Sequence, residues 1–413
     1  MQTQLAPQFQ STPHGQEAQE ILRRCVHCGF CTATCPSYQL LGDELDGPRG
    51  RIYQIKQVLE GTPATRSTQI HLDRCLTCRN CETTCPSGVQ YGRLLDIGRA
   101  IVDEQVPRPV GERAIRWMLK EGLPSPLFAP AMKLGQALRP LLPTVLKAKV
   151  PAPAPGSNAQ WPTRTHDRKV LMLMGCVQPT MQPNINRATA RVLDCAGVQT
   201  LVAEEAGCCG ALRMHLSDHA GSLSDMRRNV DAWWPMVAAN QIEAIVMNAS
   251  GCGVMVKDYG YALRHDPAYA DRATRISELT RDVSELLPTL MPSLKAHLKT
   301  NRHPRLAYHA PCTLQHGQQL NGAVEAAMRE LGFEIDTCGA DSHLCCGSAG
   351  TYSVLQPQLS EQLRERKLNA LDALKADITV SGNIGCITHL QNGSQTPVRH
   401  WIEVLDEAIN TDL

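Results

Sequence analysis

Two stretches of the chain, RCVHCGFCTATCP from Arg24 to Pro36 and RCLTCRNCETTCP from Arg74 to Pro86, repeat one spacing of four cysteines, each cysteine of the second copy lying 50 positions after its counterpart. The spacing C-x2-C-x2-C-x3-C-P is that of the bacterial ferredoxin run for [4Fe–4S] clusters. Three thiolates spaced three apart wrap a compact turn around one face of a cube. The proline behind the fourth cysteine discourages the helical conformation there, so that cysteine is carried to the neighbouring cube. In two-cluster proteins of this kind the fourth cysteine does ligate the other cluster. The expected sets are therefore Cys25, Cys28, Cys31 and Cys85 for one cluster, and Cys75, Cys78, Cys81 and Cys35 for the other. Zinc sites use two separated cysteine or histidine pairs, a pattern that a triplet plus a distant Cys-Pro does not match. Two clusters forced this close suit electron transfer and do little for hydrolysis.

The chain has 18 cysteines in 413 residues. Disulfide staples serve small secreted domains, and a chain able to bury large cores does not need them. The N-terminus MQTQLAPQFQSTPHGQ shows no charged segment followed by an apolar run, and no window approaches the ~20 apolar residues of a membrane span. The expectation is a cytoplasmic protein, with any membrane association peripheral, on the cytoplasmic face of the inner membrane. A net charge of +1 and only four Phe and eight Tyr give no reason to expect a nucleic-acid partner.

Helical periodicity follows each comb: Ile52, Ile55 and Leu59 after the first, Leu94, Ile97, Ile101 and Val102 after the second. Residues 15–106 are thus expected to form a helical two-cluster module. Residues 107–165 read as a Pro-rich basic connector. Within it Gly111–Val150 carries seven Lys/Arg against two Glu, which allows docking on a partner or an anionic surface, but a solvated helical connector is the expected reading. PAPAPGSNAQWP is loop-like. His27, beside the first comb, is expected to be solvated and is assigned no role.

The remainder repeats once, as residues 166–300 and 301–413. VLMLMGC ends at Cys176 and RLAYHAPC at Cys312; EAGCCGA (Cys208, Cys209) matches HLCCGSAG (Cys345, Cys346); IEAIVMNASGCG (Cys252) matches DITVSGNIGC (Cys386). Strand-like runs alternate with helical stretches, which predicts two homologous α/β halves with parallel sheets. Ligands in such sheets gather beyond the C-terminal ends of strands, and three of these cysteine positions follow strand-like runs. A Gly-flanked cysteine pair, repeated, points to metal or redox chemistry rather than packing, since Gly permits close approach to a ligand. The eight cysteines Cys176, Cys208, Cys209, Cys252, Cys312, Cys345, Cys346 and Cys386 form a candidate third site; Cys195 and Cys338 have no assignment. The fold class expected is α+β multidomain: an α-helical bis-[4Fe–4S] ferredoxin-type module followed by two cysteine-rich α/β halves.

A two-cluster module followed by two "CCG" domains resembles the heterodisulfide reductase-type iron–sulfur subunits, which include those serving glycolate, lactate and anaerobic glycerol-3-phosphate dehydrogenases. CTATCPSYQLLGDELDGPRGRI and GCCGALRMH look most like the bacterial glycolate oxidase members. The family's CCG pattern ends in C-x-x-C. Here Met255 and His389 stand in place of the last cysteine, as core or surface residues, and four cysteines per half remain for an additional cluster. The resemblance implies a separate FAD-containing subunit that oxidises glycolate to glyoxylate and passes electrons to this chain, which forwards them towards a quinone or another membrane acceptor. No G-x-G-x-x-G opens a helix and no phosphate-binding loop occurs, so no FAD or NAD site, catalytic base or substrate pocket is evident here. Two other readings stay open: a CCG-cluster reductase acting on disulfides, and a metal-stapled scaffold.

Overall fold

The structure, a computed structural model, describes all residues except 142, 144–149, 151–159, 300–302, 340 and 410–413. Its first module is helical. The Pro13–Arg24 helix starts where Thr12 Oγ1 accepts from the Gly15 N–H at 3.1 Å, an N-cap that satisfies one orphan donor. The Pro48–Leu59 and Tyr91–Gln105 helices cross at Gly98, where a Cβ would come within 2.6 Å of Ile55. Ile21, Leu22, Ile52, Ile55, Leu59, Leu94, Leu95 and Val102 fill the core between these three helices, so the predicted apolar periods face inward as expected. The module also takes in residues ahead of position 15: Leu5 joins this core, and the Ala6 N–H donates to Leu59 O at 2.8 Å.

The connector forms helices Val110–Gly122 and Phe128–Ala137, neither with a buried residue. Its first helix is nonetheless pinned at both ends. Arg108 and Arg116 reach Asp73 of the first module at 2.6 and 3.0 Å, while Glu121 and Lys120 pair with Arg213 and Asp218 of the following half at 2.7 and 3.1 Å. Residues 151–159, most of the expected PAPAPGSNAQWP loop, lie outside the described residues.

Each cysteine-rich half is a four-stranded, all-parallel sheet. The first contains β1 (Arg168–Met172), β2 (Val198–Leu201), β3 (Ala244–Met247) and β4 (Thr280–Asp282) in the order β2-β1-β3-β4. The second contains β5 (Leu306–His309), β6 (Ile335–Thr337), β7 (Ile378–Ser381) and β8 (Val398–His400) in the order β6-β5-β7-β8. The sequential offset Val170↔Ala244 in one sheet answers Leu306↔Ile378 in the other. Strands buried on both faces need continuous apolar runs, which AIVM of β3 supplies with every residue buried. The chain steps from β1 to one side and then to the other, so the direction reverses between β1 and β3, and again between β5 and β7. A crevice opens at such a switch point beyond the strand ends.

The halves share one core across their seam, beside a second cluster that belongs to the first half alone. Val170, Ile185 and Val192 of the first pack in one continuous cluster with Leu287 and Leu290 and with Leu306, Tyr308, Met328 and Ile402 of the second. Arg191 and Asp406, 2.8 Å apart, and Asn184 donating to Glu403 at 2.8 Å close the seam from outside. His400 closes it from within, its buried Nε2 lying 2.9 Å from Asn248 O.

Candidate metal centres

Both combs fold into the same turn. His27 and Thr77 share φ near +55°, and Gly29 and Arg79 share the left-handed region at +86° and +58°. Alternating right- and left-handed residues turn successive backbone N–H groups inward, a concavity suited to an anion. Around the first turn, Cys25, Cys28 and Cys31 share a small cavity with Cys85, and Cys81 also borders it. Cys35 lies close enough to Cys78 and Cys81 to influence their ionisation. The structure thus brings each fourth cysteine to the other comb. Burial pushes the Cys31 thiol up to about 11 and raises Cys78 and Cys81 well above the ordinary range; thiols of this kind ionise when a metal replaces the proton.

A cationic floor, unforeseen from sequence, supports the second comb. Arg51, fully buried, donates to His71 O at 2.7 Å and Ser37 Oγ at 3.1 Å and lies 3.4 Å from Asp46. Arg74 and His71 also meet the buried Asp46, at 2.8 and 3.1 Å. Arg99 donates to Leu72 O and Cys75 O at 2.9 and 2.8 Å. Burial works to lower the Arg51 guanidinium, but Tyr91, Cys75, Cys35 and Asp46 raise it above its usual value. Two buried arginines, Arg51 and Arg99, thus sit beneath the second comb, placed to offset the negative charge its sulfurs carry once a metal replaces their protons. The sequence signal was present in PRGRI, as an arginine at a core position of the helix.

His27, expected in solvent, is half-buried: it stands edge-on to Tyr53, and its Nε2 is enclosed without a hydrogen-bond partner. Tyr53 lies one turn along the helix that covers the comb, so the enclosure comes from a tertiary contact.

The CCG cysteines gather at the predicted strand ends. In the first half Cys176 hydrogen-bonds to Cys208, and Cys209 to Cys252. In the second, Cys312 and Cys345 Sγ atoms are 3.7 Å apart, and Cys346 contacts Cys386. The glycine of each CCG is left-handed, Gly210 at φ +90° and Gly347 at +91°, a region L side chains avoid. A Cβ on Gly347 would lie 2.4 Å from Ser360 O. Ser222 Oγ and Ser360 Oγ each fasten the matching glycine carbonyl, at 2.9 and 2.8 Å, a lock repeated in both halves. Hydrogen bonds from Cys176 and Cys209, with the Gly210 N–H and Arg228 adding to them, hold Cys208 well below the usual thiol range. Its counterpart Cys345 also accepts from Cys312, which lowers it, but its contact with Cys346, burial and the nearby Cys78 leave it raised.

A cavity of about 540 Å³ joins these groups, where the sequence had shown no pocket. Cys75 and Cys78 of the second comb line it together with Cys176, Cys208, Cys209, Cys252, Cys312, Cys345 and Cys386. Met255 and His389 line it too, and both are buried, so neither is a surface residue. Leu76 packs in one cluster with Cys312, Cys345 and Tyr352. Cys195 is half-buried at a helix end, and Cys338 is buried 3.9 Å from Lys367 Nζ. A soft donor set of this size, in a cleft between modules, fits iron–sulfur clusters.

Residues 21–89 match the 4Fe-4S dicluster domain, and residues 170–257 and 306–391 each match the cysteine-rich domain of the CCG type. The chain is 54% identical to the glycolate oxidase iron-sulfur subunit of Escherichia coli, with the whole of both chains aligned. It belongs to the glycolate oxidase iron–sulfur subunit family. A probable glycolate oxidase iron-sulfur subunit of Bacillus subtilis is 29% identical over 90% of this chain and 89% of its own. Lactate utilization protein A of Bacillus licheniformis is 26% identical over 58% of this chain and 99% of its own. The family resemblance carried by the combs and the CCG motifs is therefore correct, and iron–sulfur clusters are its cofactors. Among the described residues no helix is long and apolar enough to cross a membrane.

Proposed function

We propose that this chain is the electron-transfer subunit of a flavin-dependent 2-hydroxyacid dehydrogenase complex of the glycolate oxidase type. In this reading an FAD-containing partner subunit oxidises glycolate to glyoxylate, and the two electrons leave through this chain towards a quinone or another membrane acceptor. Cys25, Cys28, Cys31 and Cys85 hold one cluster, Cys75, Cys78, Cys81 and Cys35 the second, and the CCG cysteines a third centre. When bound, such clusters accept and release single electrons. The four expected segments, 15–106, 107–165, 166–300 and 301–413, serve as cluster module, pinned connector and paired cysteine-rich halves.

The observation that carries this reading is the unbroken sequence of thiol sites. Cys85 and Cys81 adjoin the first comb's cavity, Cys78 faces Cys312, and the CCG thiols follow across one cleft. The chain's own residues fix the neighbours of each site and bury the thiols of the second half, while Cys28 of the first comb stays exposed. Val26 and Phe30, 68% and 60% exposed, form an apolar rim beside the first comb, which suits that end for receiving electrons from a partner. The test is Cys31→Ser in the intact complex. Glycolate-dependent dye reduction should be abolished while flavin reduction by glycolate persists. Undiminished dye reduction would defeat the relay.

A further inference from the structure

The repeat that makes the two cysteine-rich halves alike changes chemistry at a buried position just ahead of the first CCG-type cysteine of each half. Leu173 precedes Cys176 by three residues and belongs to the apolar core; His309 precedes Cys312 by three and takes its place. His309 ends β5, is 1% exposed, and has an Nε2 enclosed without any hydrogen-bond partner. A buried polar group left without a partner is destabilising, so a neutral imidazole kept for packing alone is a poor exchange for leucine.

Its surroundings supply the missing partner. One donor atom each from His309, Cys346 and Cys386 lies within 4.8 Å of the others, and all three residues are buried. Metal bonds of about 2.3 Å to sulfur and about 2.0 Å to imidazole nitrogen set tetrahedral donor separations of roughly 3.5–3.8 Å, which a small contraction of this triad reaches. The sulfurs are themselves oriented: Asn383 Nδ2 lies 3.5 Å from Cys386 Sγ, and the Ser348 N–H points to Cys346. Such outer contacts fix ligands in metal sites. The first half, with leucine at this position, offers thiols alone there.

We infer that His309, Cys346 and Cys386 together ligate one soft metal ion, so that the second half holds a mixed imidazole–thiolate centre. The inference rests on the reading that CCG cysteines bind metal, but not on the direction of electron flow. The ion is either a zinc ion or an iron of the third centre; both accept this donor set. An imidazole on iron in place of a thiolate raises the potential of a cluster, which would make the second half the stronger electron acceptor of the two.

The experiment uses the full chain purified anaerobically with ¹⁵N-labelled histidine. Iron and zinc per chain are measured, with pulsed-EPR nitrogen couplings for iron and K-edge absorption for zinc. Wild type should carry metal beyond the roughly eight irons of the combs, with a histidine nitrogen bound to it. A zinc-edge imidazole signal assigns the ion as zinc, and a nitrogen coupling on a reduced cluster assigns it as iron. His309→Ala should lose that nitrogen signature and the ion while keeping the comb irons. His309→Cys, which restores a soft donor, should keep the ion and lose the nitrogen. An unchanged nitrogen signature in His309→Cys, or no metal beyond the combs in wild type, overturns the inference. Loss of comb iron from wild type would instead defeat the relay reading, so the two failures are distinguishable.

Discussion

The two combs share spacing and backbone turn, yet one ends at the surface and the other is enclosed by the cysteine-rich halves. The difference lies in the residues between the cysteines. Val26 is 68% exposed, whereas Leu76, its counterpart, is 6% exposed against Cys312 and Tyr352. Phe30 faces solvent; Asn80 in the same place donates to His343 O at 3.2 Å. Gly29 meets the left-handed requirement without strain, while Arg79 accepts that conformation and pairs with Asp258 of the first half at 2.9 Å. Thr83 and Tyr352 add bonds across the same junction, at 3.0 Å to His316 Nδ1 and 3.2 Å to Arg74 O. Cluster-binding geometry therefore belongs to the cysteines, and what each comb packs against belongs to the residues that separate them.

The sharpest way to break this contrast is one charge placed in each comb. Leu76→Asp buries an unpaired carboxylate at the junction and is expected to cost more than about 4 kcal/mol, while Val26→Asp stays within about 0.5 kcal/mol. Anaerobic denaturant midpoints measure both, and equal effects would remove the distinction between inner and outer comb. Next, Arg51→Met takes from the buried Asp46 its fully buried cation and leaves it Arg74 and His71. A loss of about 3 kcal/mol, the low end for breaking a buried pair, is expected, read as a lowered midpoint with iron released in the same transition.

Backbone strain gives a smaller and more selective test. Gly29→Ala forces a side chain into φ +86° and should destabilise by roughly 1–2 kcal/mol. Arg79→Gly relieves strain of about 1 kcal/mol but forfeits the Asp258 pair, so its net change should be under about 1 kcal/mol. A large loss from Arg79→Gly would mean the junction depends on that pair far more than its geometry implies.

The most gradual effect concerns the seam that holds the inner comb's partners together. Burial holds His400 down at about 3 from an ordinary 6.5. Its Nδ1 accepts from the Ile402 N–H at 3.1 Å, and its Nε2 faces Asn248 O, so the folded chain keeps it neutral. Between pH 6.5 and 3 the unfolded chain binds a proton that the folded chain refuses. Stability therefore falls as pH drops below 6.5, by at most about 1.4 kcal/mol per pH unit from this group. His400→Gln retains a donor for Asn248 without titrating, and its urea midpoint should decline less steeply from pH 7 to 5. A parallel decline would assign the acid sensitivity elsewhere.

Much of the molecule was legible because it is written in short-range patterns. The repeated spacing of the combs, the apolar periods behind them and the twice-run order of strand, CCG and strand each follow from a few neighbouring residues. So did parallel sheets with cysteines at their ends, since the βα alternation allows little else. The connector is the solvated helical segment its composition predicts, but the ion pairs that pin it to Asp73, Arg213 and Asp218 join residues 35 to nearly 100 positions apart and leave no local trace. His27 was misplaced for the same reason: Tyr53, which covers it, sits on another element.

By itself, then, the sequence determined which atoms can bind metal and which secondary structures carry them, because ligand type, spacing and hydrophobic period are local properties. Tertiary structure alone settles which comb faces outward, that Arg51 reaches Ser37 and the His71 carbonyl beneath the second, and that nine cysteines from three modules line one cavity. It alone also showed that His309, a single residue in a strand-like run, has an unpaired nitrogen beside Cys346 and Cys386. Those facts depend on distances between residues far apart in the chain, and these exist only once the cores have closed.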